Sequence, residues 1–274
     1  MIQELFRIGP LSVSPFGVML VLAFAAGYLQ LAWGLKRQKI GDEEDASSIV
    51  FAAGVGGIVG AKVYFAILYG DWRLLFERSG LVWYGGFLLG AAAVVWTVRR
   101  RRLPPWQTVD AAAPGLALGY GVGRIGCFLV GDDYGAPTDL PWGIAFPNGL
   151  PPTTAYYLRT EFGVDLPASI PDDRLLAVHP TQVYETLAAL AIWAIGVRLL
   201  ARRAPTGRTT LAMLGLLALE RFGIEFLRAK DDRFLGPFTL AQAISLALLA
   251  VVALLWTRPA KAPAPAAGEA GTRR

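Results

Sequence analysis

Seven mostly apolar stretches, near residues 14–35, 47–69, 81–98, 109–130, 180–201, 209–229 and 237–257, dominate this 274-residue chain. Each is close to the roughly 20 residues that a helix needs to cross a hydrocarbon core. In lipid every backbone polar group must be bonded within the protein, so only helices and closed barrels can span. No strict alternation of polar and apolar residues runs through the stretches, which argues against a barrel. Charged residues are only 17% of the chain, where a soluble domain carries about a quarter. The expected fold is all-α: a polytopic membrane protein of about seven transmembrane helices, occupying residues 1–258.

Loop charges set an expected orientation. LKRQK follows the first stretch, Arg99 to Arg102 the third, Arg202, Arg203 and Arg208 the fifth, and Arg258 and Lys261 the seventh. The intervening loops are poorer in cations. By the positive-inside rule the N-terminus is outside, the C-terminus is cytoplasmic and the number of spans is odd. Topology thus accounts for the net charge of +5, and nucleic acid is not an expected partner. Glu4 and Arg7 cancel ahead of the first stretch, which therefore reads as a retained helix and not a cleaved leader.

Between the fourth and fifth spans, residues 131–178 make a long outer loop rich in Pro, Gly and Asp, expected to be a small subdomain. Within it LPWGIAFP reads as a short strand or an interface-hugging segment, with Trp142 and Phe146 at head-group level. The tail 259–274 is low in complexity and expected to be disordered.

Charges stranded inside apolar stretches mark the candidate site, because an ion in the hydrocarbon layer is costly and is kept facing a cavity or a partner. Arg124 lies in LALGYGVGRIGCFLVG, and Arg221, Glu225 and Arg228 lie in LLALERFGIEFLRA. At spacings of four and seven the last three share one helix face. A guanidinium fork matches phosphate oxygens. These residues therefore read as a cationic pocket for an anionic head group, in which Glu225 orients one arginine and leaves another available.

Other polar residues surround this pattern. Lys62, inside the second stretch, is either a snorkelling side chain or a further cation of the pocket. Asp132 and Asp133 follow the helix of Arg124, as a solvated turn or as carboxylates that orient Arg124 or deprotonate a nucleophile. His179 opens HPTQVYE, where Thr181, Gln182, Tyr184 and Glu185 make a polar helix entrance suited to capping as much as to catalysis. Tyr84, ahead of Gly85 and Gly86, is an interfacial anchor or a phenol acting as donor or base. A single cysteine, Cys127, and a single histidine exclude an intrachain disulfide and an ordinary structural zinc site, so neither metal nor cofactor is expected.

These pieces, in this order, resemble the prolipoprotein diacylglyceryl transferase family. The resemblance rests on YGGFLLG at Tyr84–Gly90, GRIGCFLVGDDYG at Gly123–Gly135, WGIAFP at Trp142–Pro147, HPTQVYE at His179–Glu185 and RFGIEFLR at Arg221–Arg228, with GAKVYF at Gly60–Phe65 a looser match. It implies a multi-pass enzyme of the bacterial inner membrane, acting on phosphatidylglycerol and on the signal peptide of a prolipoprotein with its lipobox cysteine. The diacylglyceryl group passes to the thiol and glycerol phosphate leaves. The family's essential arginines correspond to Arg124 and Arg221, and their supporting carboxylate to Glu225. Tyr84, His179 and Asp132 remain candidates for base or positioning, and Arg228, Lys62, Cys127, Gly85, Gly86 and Gln182 for substrate binding.

The sequence also departs from the family's pattern. Cys127 stands where Asn is usual, Asp132 where Glu is usual, Phe16 where a tyrosine is common, and Lys62 where arginine is common. These departures leave open a paralog that binds anionic phospholipid with altered or no catalysis. Intramembrane arginines alone would also fit a transporter of an anionic solute.

Overall fold

The computed structural model describes residues 2, 4–9, 11–76, 82–229, 233–235 and 238–258. A helix occupies each apolar stretch: α1 (Pro15–Gln38), α2 (Glu43–Tyr69), α3 (Trp83–Arg100), α4 (Pro105–Val130), α6 (Thr181–Ala201), α7 (Arg208–Ile224) and α8 (Leu240–Trp256), with the short α5 (Ala155–Thr160) in the long loop. Among the described residues, α1, α2, α4 and α6 are long and apolar enough to cross a membrane. Large apolar side chains such as Leu29, Phe51, Leu116 and Leu187 stand exposed on their outer faces, where acyl chains accept what water would not. Two small antiparallel hairpins were not expected from the sequence: β1 (Phe6–Ile8) with β2 (Leu11–Val13), and β3 (Arg233–Leu235) with β4 (Phe238–Thr239). Strands of two or three residues are too short to carry a periodic signal.

Local sequence sets most helix starts. Ser14 accepts from Gly17 N at the start of α1, while Asp42 with Asp45 and Thr239 with Gln242 form capping boxes on α2 and α8. Helix α7 has no side-chain cap of its own. Its first turn is instead capped from α4: buried Asp110 accepts from Gly207 N at 2.5 Å, Thr210 N at 2.8 Å and Thr210 Oγ1 at 2.6 Å. Asp110→Ala strands these donors inside the bundle, and we expect it to cost about 1–3 kcal/mol. A thermal unfolding midpoint in detergent equal to that of the parent protein would refute this cap.

Helix α1 runs against α4, α2 against α3, α4 against α6, and α7 against α8. Small residues allow the closest crossing. A Cβ on Gly60 would stand 2.2 Å from the Gly85 carbonyl, and one on Gly86 3.0 Å from the Gly57 carbonyl. Both Gly85 and Gly86 therefore serve the α2–α3 contact, since close backbone approach drives helix association where water is absent.

The basic helix ends gather at one end of the bundle. Arg37 after α1 donates to the Ala201 carbonyl of α6. Arg101 after α3 pairs with Glu44 and Asp45 of α2, and Arg208 of α7 donates to the Trp256 and Arg258 carbonyls after α8.

The 131–178 loop builds its own core from Tyr134, Phe146, Leu158 and Val178, with Tyr134 and Phe146 stacked. Phe146 is fully buried there, which corrects its expected place at head-group level: the loop folds over it. Trp142 does stand exposed, donating to Tyr184 Oη at 2.7 Å. LPWGIAFP forms no strand; Ile144 makes only an isolated bridge to Val178. The tail 259–274, expected to be disordered, lies outside the described residues.

Candidate active site

The segment after α4 is the hub of the site. Gly131 ends α4 in the left-handed region at φ +76° and Asp133 follows at φ +53°, a conformation that Asp tolerates better than most residues. The chain thereby doubles back, and Asp133 falls over the last turns of the helix that carries Arg124. Arg124 Nη1 lies 2.9 Å from Asp133 Oδ2, and its Nη2 pairs with Glu185 of α6. Arg228 Nη2 takes the other Asp133 oxygen at 2.9 Å. Tyr120, one turn before Arg124, donates to Glu185 Oε1 at 2.9 Å. Two arginines from distant parts of the chain thus converge on one carboxylate, and one of them is also held by a second.

Backbone bonds lock this hub on both sides. Gly135 N donates to the His179 carbonyl, His179 N to the Ala136 carbonyl, and Ala136 N to the Leu227 carbonyl. Thr181 Oγ1 bonds the Asp133 carbonyl at 2.9 Å, and Gln182 Nε2 the Asp132 carbonyl at 2.5 Å. A Cβ on Gly135 would stand 2.5 Å from the Leu227 carbonyl and 2.7 Å from His179 Cβ. Only glycine lets the three segments meet there.

The two neighbouring aspartates differ electrostatically. Burial pushes Asp133 up, but the charges of Arg228 and Arg124 outweigh it and hold its carboxyl below the ordinary value. Burial raises Asp132, and the adjacent Asp133 charge adds to this against the opposing Cys127 thiol and Arg124. Because the Asp133 pKa is depressed in the folded state, its contribution to stability is present above the ordinary Asp value of about 3.9 and is lost as pH falls through the lower folded value. We expect Asp133→Asn to remove this part of the acid sensitivity, read as the unfolding midpoint against pH below about 4. An unchanged acid slope would contradict the assignment. Cys127, Asp132 and Asp133 each bring one ligand atom to within 4.8 Å of one another. Three donors are fewer than a closed metal site needs, and both Asp133 oxygens already accept from arginines.

On α7, Arg221 Nη1 lies 2.7 Å from Glu225 Oε2. Arg221 is also on the wall of an open apolar pocket of about 270 Å³ between α7 and α8, lined by Leu214, Leu217, Ala218, Ile244 and Leu248. The expected single face of Arg221, Glu225 and Arg228 is corrected here. The α-helix stops at Ile224, a 3-10 turn covers Glu225–Leu227, and Arg228 is extended at ψ 144°. Arg228 is drawn off the helix by the Leu227 and Asp133 contacts, so no arginine of this set is left without a carboxylate.

The sequence matches the family model for prolipoprotein diacylglyceryl transferase over residues 3–258. The chain belongs to this family. Relatives named phosphatidylglycerol–prolipoprotein diacylglyceryl transferase include those of Stenotrophomonas maltophilia, 33% identical over 93% of this chain and 91% of theirs, and Synechococcus elongatus, 30% identical over 92% and 86%. The Nitrosomonas europaea protein is 32% identical over 91% and 87%.

Of the diacylglyceryl transferase motif residues singled out in the sequence, the structure joins Arg124, Asp132, Gln182 and Arg228 in one cluster with Cys127. Buried Cys127 has its Sγ 3.5 Å from Arg124 Nη1. Phe16 of α1 packs on the same turn, within 3.2 Å of the position a Gly126 side chain would take. Arg221 and Glu225 form the second pair. His179 contributes mainly its backbone, with Nδ1 3.4 Å from Tyr184 Oη. Tyr84 sits exposed in the first turn of α3, its ring edge-on to Trp83, and Lys62 is half-buried on α2.

Three residues of this family member went unassigned in the sequence reading. Glu185 appears there only as part of a polar helix entrance, yet it is the buried partner of Arg124. Tyr120 is its hydrogen-bond donor. Glu220 interacts electrostatically with Glu185 and with Tyr120. The signal that singled out Arg124, a charge within an apolar stretch, applies equally to Glu185 and Glu220.

Proposed function

We propose that this protein transfers the diacylglyceryl group of phosphatidylglycerol to the lipobox cysteine thiol of a prolipoprotein, releasing glycerol phosphate. The observation that carries this reading is Arg221: a carboxylate-oriented guanidinium on the wall of an apolar pocket between two helices. The relatives' names supply the donor and acceptor classes, and the site has the chemistry to match them.

The acceptor thiolate attacks the glyceryl carbon that bears the phosphate ester. The S–C bond forms, the C–O bond breaks, and the phosphate of the departing glycerol phosphate gains negative charge. Arginines already fixed by carboxylates, in a site of low dielectric constant, stabilise that charge without reorganising. Arg124 and Arg221 take this role, with Glu225 orienting Arg221. The thiol proton must go to a base, since the thiolate is the nucleophile. Asp132 fits best of the three candidates: it stands next to Arg124, its Oδ1 is buried without a hydrogen bond, and burial raises its proton affinity above that of an ordinary aspartate, the direction that favours a base. Tyr84 and His179 are then positioning groups, as are Lys62, Gln182 and Arg228. The acceptor cysteine belongs to the substrate, so Cys127 need not react.

The seven helices in the apolar stretches are read as seven spans of the bacterial inner membrane, with the N-terminus and the 131–178 subdomain outside. The gathering of the basic helix ends at one pole supports this orientation. The test is purified protein in phosphatidylglycerol-containing detergent with a lipobox peptide bearing one cysteine. A mass gain of one diacylglyceryl unit, matched by released glycerol phosphate, is expected. No product beside an active relative, with phosphatidylglycerol still bound, would show instead a lipid-binding paralog.

A further inference from the structure

Glu220 takes no part in the reaction as described, yet it lies within the charged layer of the site. Its carboxyl faces the Tyr120 hydroxyl closely enough to interact with it, and its Oε1 is buried without a hydrogen bond. The charged and titratable groups that face it are Tyr120 and Arg124 of α4, Glu185 of α6 and Arg221 on its own helix. Helix α8, packed on α7, carries no titratable side chain.

Both arginines are already engaged. Arg124 pairs with Glu185 and Asp133, and Arg221 pairs with Glu225. Arg228 is taken by Asp133. Three guanidiniums therefore pair with three carboxylates, Asp133, Glu185 and Glu225, and Asp132 stands in the same cluster before Glu220 is counted. An ionised Glu220 would be a half-buried charge with no cation of its own, near another carboxylate, which is costly. The hydroxyl of Tyr120 decides where a proton can sit. Its single O–H is donated to Glu185 Oε1 at 2.9 Å, so the Tyr120 oxygen can only accept from Glu220.

We propose that Glu220 is a positioning residue held as the neutral acid, donating its proton to Tyr120 Oη and so, through Tyr120 and Glu185, fixing the Arg124 fork for an anionic head group. The relay runs Glu220 to Tyr120 to Glu185 to Arg124 and crosses three helices. It has a second consequence: a neutral Glu220 adds no further negative charge where a phosphodiester has to bind. The functional half of this proposal rests on the transferase reading; the placement of the proton does not.

The test uses full-length protein in phosphatidylglycerol-containing detergent, with Glu220→Gln and Glu220→Leu. Infrared difference spectra of parent against Glu220→Gln should show one protonated-carboxyl carbonyl band that the variant lacks. Glu220→Leu should lose transfer by about tenfold or more, and Glu220→Gln, whose amide still donates to Tyr120, should recover most of it. Parent transfer should decline on the alkaline side as Glu220 ionises and breaks the relay, and the Gln variant should lack that decline. A parent spectrum with no such band overturns the proposal whether or not the enzyme turns over. So does a Gln variant as impaired as the Leu variant, or one that keeps the alkaline decline. Loss of the band on substitution, in a parent protein that makes no product, would uphold the proton's place and defeat the transferase reading alone.

Discussion

Arg221→Ala is expected to reduce diacylglyceryl transfer by about 100- to 1,000-fold, the scale seen when one preorganised donor to a developing anion is removed. Arg221 lines the apolar pocket between α7 and α8 and is oriented by Glu225, whose side chain is only 2% exposed. The Ala variant also leaves Glu225 buried without its cation, so some stability is lost with the activity. Arg221→Lys separates the two effects. It keeps a positive charge for Glu225 but not the planar fork that holds two phosphate oxygens at once. The Lys variant should unfold near the parent temperature and still transfer poorly. Near-parental turnover in the Ala variant, with folding intact, would remove Arg221 from the mechanism.

Arg124→Ala should be the more damaging to the fold. Its partner Glu185 has a side chain 2% exposed, and Arg124 itself is 9% exposed at the side chain. Removing one member of such a pair strands the other, at a cost of about 3–5 kcal/mol. Asp133 loses one of its two arginines at the same time, which loosens the turn that stitches α4 to the HPTQ segment. Transfer and the unfolding midpoint should therefore fall together. Arg124→Met combined with Glu185→Leu should regain part of the lost stability, since neither charge is then left alone, while transfer stays abolished. Recovery of transfer in the double variant would show that Arg124 acts only as a structural ion pair. A single Ala variant with normal stability would contradict the burial argument.

The helical architecture was legible because lipid leaves a chain few options. Long apolar stretches without alternation have to be helices, and each of the seven stretches contains one. Individual residues were legible for a related reason: charges such as Arg124 and Arg221 stand out against an apolar background that makes them expensive. What failed were inferences that assumed regular geometry to the end of a segment. Arg228 shares a helix face with Arg221 only if α7 continues, and it stops at Ile224. Phe146 looks interfacial in a loop taken to be extended, and is buried once that loop closes on Tyr134 and Leu158.

Partnership was decided by tertiary structure alone. Asp132 and Asp133 are adjacent and identical in sequence, yet Asp133 receives both arginines because its left-handed backbone turns it towards them. Glu185 and Arg124 are 61 positions apart and meet only where α4 packs on α6. Asp110 caps a helix that begins almost a hundred residues later. The sequence by itself determined that the chain is helical and apolar, and that its buried charges had to find partners. Which partners they found depended on helix packing, because a Coulomb interaction falls with distance in space and has no memory of distance along the chain.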